Sequence, residues 1–186
     1  LKGVEINLDY PSVGATENIM LAATTAEGVT IIQNAAKEPE IVDLQNFLNG
    51  MGARISGVGT STVKIEGVKE FHDVEHTVIP DRIVAGTLMA AAAITGGNIV
   101  LNDVIIDHLK LVSSKLSESG CSITEYQNSI QITCSKKPKA VEVIKTIPYP
   151  GFATVMQAKM MAVMTISTGG ISESSFGRCV FSMSIP

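Results

Sequence analysis

The sequence has no tryptophan, few aromatic residues and only three cysteines, and its 14 Lys and Arg are outnumbered by 18 Asp and Glu. Without a Lys/Arg cluster or interleaved aromatics, nucleic-acid binding through a basic face is excluded. Cys121, Cys134 and Cys179 are far apart and form no CxxC pair, which argues against a zinc site or a disulfide frame. They are expected to be reduced thiols, buried or at an edge, in a cytoplasmic protein. The longest apolar run, Leu88 to Ile94, falls well short of the roughly 20 residues a spanning helix needs, and no signal-peptide pattern is visible. No membrane association is expected. His72, His76 and His108 share no ligand spacing, so they are expected at the surface and no metal site is expected.

What is present is a hydrophobic content of 45% over 186 residues, enough for one large or two small domains with a substantial core. An internal repeat organises it. Ala22 to Asn34 reads helix, glycine stop, strand, and Ala91 to Asp103 reads the same, with Gly28 over Gly97. Met156 to Thr168 with Ile171 to Glu173 opens a third copy. In the first copy Ile41, Leu44, Leu48 and Met51 then recur at helical spacing; in the second, Ile105, Leu109, Val112 and Leu116 do. Pro39 suits a first helical position, and Gly52 and Gly120 suit the residue after a last turn. Two alternating strands close each copy, around Val63 and Ile65 and around Ile130 and Ile132. With one strand leading in, the unit reads βαβαββ. A boundary falls near Ile79-Pro80-Asp81, where Asp81 can cap a helix. The chain opens on Leu1 rather than Met and stops inside the third copy, so it is expected to be a piece of something longer.

Ser12-Val13-Gly14-Ala15-Thr16-Glu17 lies between an alternating strand (Val4, Ile6, Leu8) and an apolar helical run from Ile19 to Ala26. Free N–H groups converge at a helix start, the helix dipole favours an anion, and Gly14 lets a ligand approach the main chain. The same pattern serves equally as an ordinary helix start.

Read in order, Pro11-Ser12-Val13-Gly14-Ala15-Thr16-Glu17-Asn18-Ile19-Met20, Glu38-Pro39-Glu40-Ile41-Val42-Asp43, Pro80-Asp81-Arg82 and Pro148-Tyr149-Pro150-Gly151-Phe152 resemble the enolpyruvyl transferase family over nearly all of the chain. They resemble most the branch that acts on UDP-N-acetylglucosamine in peptidoglycan synthesis. The resemblance implies an α/β (α+β) fold, an inside-out α/β barrel of repeated βαβαββ units, present here in part. Residues 1–79 would be the last unit of one domain, and 80–186 a full unit and a truncated unit of the next. It implies transfer of enolpyruvyl from phosphoenolpyruvate to the sugar 3-hydroxyl with release of phosphate, with no metal and no organic cofactor. It places the diphosphate of the UDP-sugar on Ser12, Val13 and Gly14, and a further substrate contact near Ser175.

One departure bears on the chemistry. The family reads Phe-Pro-Thr-Asp-Met-Gln where its Asp takes the proton of the attacking hydroxyl. This chain reads Phe152-Ala153-Thr154-Val155-Met156-Gln157. Thr154 and Gln157 keep a capping-box spacing, but Val155 has no proton acceptor, and loss of such a group costs roughly 10²–10⁴ in rate. The family's catalytic cysteine loop, its Lys-Asn pair and a late arginine have no counterpart here, so the chain alone is expected to be inactive. Two alternatives stay open: a non-catalytic paralogue that binds a nucleotide-sugar or a protein partner, and the relative that acts on 3-phosphoshikimate. Because the third unit is unfinished, self-association or completion by another chain is expected.

Overall fold

The computed structural model describes residues 1–141, 143–168 and 180–183; Ser175, Gly177, Arg178, Cys179 and the expected strand 171–173 lie outside the described residues. Two compact units are present. The first holds residues 1–79 with 148–150, and the second holds 80–147 and the described residues from 151 onward. The chain is a mixed α/β protein.

Unit 1 runs β1 (Glu5–Asn7), α1 (Val13–Ala23), β2 (Val29–Gln33), α2 (Pro39–Gly50), β3 (Arg54–Ser56) and β4 (Thr62–Glu66). Its sheet has the order β1-β2-β4-β3, with β1 parallel to β2 and the other pairs antiparallel. Strand alternation sorts the faces. Ile32, Ile55, Val63 and Ile65 are buried with Met20 and Ile41 of the helices. Gln33 and Thr62 point outward, where Gln33 Nε2 donates to Glu5 Oε1 at 3.1 Å and Thr62 Oγ1 donates to Gln33 Oε1 at 2.8 Å. Each fully buried aliphatic side chain contributes about 1.5–3 kcal/mol, so this face holds the unit together. Pro39 opens α2 as expected, and Gly52, at φ +103°, takes the left-handed turn after it. Helix α1 starts at Val13, directly after the Ser12 cap, and stops at Ala23, three residues before the apolar run ends at Ala26; there Thr24 Oγ1 donates to Leu21 O at 2.7 Å.

Residues 67–79 form no helix or strand but are strapped to unit 1. Gly67 and Val68 N–H donate to Gly28 O and Thr24 O, and His72 N–H donates to Met51 O at 2.9 Å. His76, expected at the surface, is instead half-buried. Its Nε2 lies 3.0 Å from Asp43 Oδ1 and its ring packs 5.5 Å from that of Phe47, both on α2.

Unit 2 repeats the plan: α3 (Arg82–Thr95), β5 (Asn98–Asn102), α4 (Ile106–Glu118), β6 (Ser122–Glu125) and β7 (Ser129–Thr133), in the sheet order β5-β7-β6. Strands β2 and β5 coincide at a shift of 69, and so do Asn34 and Asp103, both left-handed at φ +57° and +54°. Asn and Asp tolerate that conformation better than other side-chain-bearing residues. Two expectations change. Among the described residues no strand leads into α3, so β5 has a bare edge where β2 has β1. The left-handed stop after α3 falls on Gly96, at φ +66°, and not on Gly97.

The third copy begins with β8 (Val143–Thr146), a 3₁₀ turn (Thr154–Met156), α5 (Gln157–Thr165) and β9 (Val180–Met183), which pairs parallel with β8. Helix α5 packs on α3, where Gly86 leaves room for the Met156 thioether. The expected Thr154–Gln157 capping box does not form. Thr154 lies inside the 3₁₀ turn, whose cap is Ala153, so its hydroxyl is not placed to cap α5.

Cys121 and Cys134 are joined in a disulfide, which overturns the expectation of three separate thiols. The β6–β7 register sets Ser122 opposite Thr133, so the next pair outward is Cys121 and Cys134, with Cα atoms 4.6 Å apart. Sequence distance concealed a cross-strand neighbour. Three cysteines less the joined two leaves one. Thiol titration of the chain, purified without reductant and then denatured, is expected to count one reactive sulfhydryl; a count of three overturns the link.

Candidate anion-binding site

Helix α1 presents its first turn at the end of the β1–α1 loop. Ser12 is its N-cap, extended at φ −90° and ψ 125°, and its Oγ accepts the Ala15 N–H at 3.3 Å. The Ser12 carbonyl accepts the Thr16 N–H at 3.0 Å. Among the described residues none accepts a hydrogen bond from the Ser12, Val13 or Gly14 N–H. A β-carbon built on Gly14 would meet nothing within 4 Å, and Gly14 is exposed, so nothing crowds the main chain at this residue. Gly14 has neither a positive φ nor a crowded neighbour to account for it within the fold. Two unspent donors in a first helical turn, one of them on a residue with no side chain, make this a candidate anion-binding nest.

The repeat provides an internal comparison. At the same shift of 69, Ser12 corresponds to Asp81, Gly14 to Ile83 and Thr16 to Ala85. Asp81 caps α3 as expected, but its Oδ1 accepts both the Ile83 and the Val84 N–H, at 2.7 and 3.0 Å. Unit 2 therefore fills its own helix start with a carboxylate, and unit 1 leaves the same place open.

A second loop stands against the nest. Asn34, left-handed at the end of β2, donates from Nδ2 to Leu8 O at 2.8 Å, and Ala36 N–H donates to Thr16 Oγ1 at 3.1 Å. These bonds lace Asn34 to the β1–α1 loop and Ala36 to the first turns of α1. Sequence reasoning singled out neither Asn34 nor Thr16. The available signals were the left-handed pair Asn34/Asp103 at the repeat spacing, and a Thr four residues before buried Met20 on the apolar side of α1.

Acids cluster close by. Glu17 is on α1, Glu38 holds the N-cap position of α2 without a side-chain bond to it, and Glu40 is in the first turn of α2. Burial first, and then the Glu40 and Glu38 carboxylates, hold the Glu17 carboxyl above its ordinary range.

The other site residues expected from the sequence divide. Val155 is 54% exposed in the 3₁₀ turn before α5, and its carbonyl accepts from Lys159 Nζ at 2.7 Å. It belongs to unit 2, whereas Ser12, Val13 and Gly14 belong to unit 1. Ser175 lies outside the described residues.

Repeated α/β units, one of which leaves the first amides of its leading helix without a partner among the described residues, define the class of fold. A family profile described as EPSP synthase (3-phosphoshikimate 1-carboxyvinyltransferase) matches residues 1–175, and the chain belongs to this family of enolpyruvyl (carboxyvinyl) transferases. The chain is 62% identical over 169 residues to "UDP-N-acetylglucosamine 1-carboxyvinyltransferase 1" of Caldanaerobacter subterraneus subsp. tengcongensis, covering 91% of this chain and 40% of that protein. It is 55% identical over 178 residues to the protein of the same name in Symbiobacterium thermophilum, covering 95% of this chain and 40% of the relative. The chain thus spans about 40% of the length of these relatives. Among solved structures, the enolpyruvyl transferase NikO from Streptomyces tendae matches with a TM-score of 0.76 at 20% identity, over 90% of this chain and 42% of that one. EPSP synthase from Acinetobacter baumannii matches with a TM-score of 0.58 at 24% identity, over 76% of this chain and 34% of that one. Both share the fold.

An acid whose folded-state pKa is raised binds its proton more tightly when folded, so it costs stability as pH climbs through and above that range. Glu17→Gln is therefore expected to melt higher than the parent at pH 7, with the gap closing towards pH 4. A gap that is flat with pH overturns the assigned cause.

Proposed function

We propose that this chain carries the diphosphate-binding part of a UDP-N-acetylglucosamine carboxyvinyltransferase, which transfers enolpyruvyl from phosphoenolpyruvate to the sugar 3-hydroxyl and releases phosphate. One observation carries the reading: the unspent amides of Val13 and Gly14 beneath open space, at a helix start that the duplicate unit closes with Asp81. Ser12, Val13 and Gly14 cradle the diphosphate, and Ser175 contributes near the sugar. The names of relatives 53–62% identical to this chain support the sugar-nucleotide branch over the 3-phosphoshikimate branch. Such a precursor enzyme works in the cytoplasm and supports cell-wall growth and cell shape. Residues 1–79 would then close one domain of the intact fold, and 80–186 would open the other. Self-association or a completing chain would cover the exposed apolar side chains of Val84, Leu88 and Val100.

A second reading, a binding protein without turnover, is favoured by Val155. The residue is solvent-exposed and offers no acceptor for a proton. Under that reading the nest still binds and the chemistry is lost.

Saturating UDP is expected to raise the melting temperature of the chain by mass action, about 2.7 kcal/mol at a hundredfold excess over Kd, while shikimate 3-phosphate leaves it unmoved. An unmoved melting temperature with UDP overturns the nest as a nucleotide site. Gly14→Ala is expected to leave stability unchanged or raise it by up to about 1 kcal/mol, because Ala favours helix and its methyl meets no neighbour, yet to abolish the UDP-induced shift. In a chain completed to the length of the relatives, Val155→Asp is expected to raise turnover by roughly 10²–10⁴. No rise would leave the second reading and remove position 155 from the chemistry.

A further inference from the structure

We propose that Thr16 is a positioning residue of the nest, orienting the Val13 N–H towards the bound diphosphate; this rests on the diphosphate reading above. Thr16 is fully buried on α1, and its hydroxyl is bonded twice. Oγ1 donates to Ser12 O at 2.8 Å and accepts the Ala36 N–H at 3.1 Å. The Ser12 carbonyl also accepts the Thr16 N–H at 3.0 Å, so two donors of one residue fix a single oxygen. That oxygen lies in the same planar peptide unit as the Val13 N–H. Holding the carbonyl on one side therefore aims the amide on the other, before any ligand arrives. The Ala36 bond extends the constraint to the loop 34–38 and so fixes the distance between nest and loop.

The duplicate unit separates this role from a requirement of the fold. Ala85 stands where Thr16 does and has no hydroxyl; the Asp81 carbonyl receives the Ala85 N–H at 3.1 Å. Unit 2 folds to the same plan without the hydroxyl, and its helix start is already filled by Asp81. The hydroxyl accompanies the open nest.

The test uses the full chain and UDP as the probe, with Kd measured by calorimetry beside the melting temperature. Thr24 provides the control. It is a second buried threonine, the C-cap of the same helix, and its Oγ1 donates to Leu21 O at that far end. Thr16→Val is expected to weaken UDP binding about tenfold, the loss of one well-made hydrogen bond's worth of orientation. Thr16→Ser keeps the hydroxyl and is expected to restore binding to within about threefold of the parent. Thr24→Val is expected to melt lower with unchanged Kd. Should the valine variant not fold, Thr16→Cys, a weak hydrogen bonder of serine's size, is compared with Thr16→Ser, and equal affinity of that pair overturns the proposal. Parental affinity in Thr16→Val, or equal weakening in Thr16→Val and Thr24→Val, also overturns it while leaving the nest intact. A parent chain that does not bind UDP overturns the diphosphate reading and this proposal together.

Discussion

The first N–H groups of a helix have no partner inside the helix, and how each unit meets that constraint determines what it can do. In unit 2 the Asp81 carboxylate satisfies the first turn of α3 from within. In unit 1 the Ser12 hydroxyl takes the Ala15 N–H, and the Val13 and Gly14 amides have no acceptor among the described residues. One supersecondary plan thus yields a sealed helix start and a receptive one. The difference rests on a few side chains, namely Ser against Asp, Gly against Ile, and Thr against Ala.

The surroundings of the receptive start keep it rigid. A nest of amides binds an anion well only if its dipoles are oriented in advance, because reorientation on binding would cost what the contact gains. Asn34 and Ala36 stitch the neighbouring loop to β1–α1, and the left-handed backbone at Asn34 makes that stitch geometrically accessible. Burial first, and then the Glu40 and Glu38 carboxylates, push the Glu17 carboxyl up, so its ionised form is disfavoured in the folded chain.

Much of this was legible in the sequence. The shift of 69 between Gly28 and Gly97, the alternation around Ile32 and Ile132, and the stops at Gly52 and Gly120 are local patterns, and local patterns survive in one dimension. The open turn at Ser12 to Gly14 was legible for the same reason, since cap, glycine and helix lie within a few residues. What was hidden depended on pairing across the fold. The Cys121–Cys134 link needs the hairpin register; the half-burial of His76 needs the strap to lie on α2; the second bond of the Thr16 hydroxyl needs the Ala36 amide, 20 residues away. The Ser12 cap marked the start of α1, although its first turn carries small and polar residues and only later turns carry the apolar stripe. The capping box at Thr154 failed because a 3₁₀ turn occupied the expected cap position.

The strap over α2 has a consequence for how unit 1 comes apart. Val74 lies so close over Gly50 that a methyl group there would press on it, and the His72 ring covers Gly52, so the last turn of α2 is capped by side chains as well as by hydrogen bonds. Helices ordinarily fray from their ends, and amide exchange with solvent reports it. Here that end is shut, and the short edge strand β1 is the place where the unit first opens. Deuterium should therefore enter at Glu5 to Asn7 long before it reaches Phe47 and Leu48.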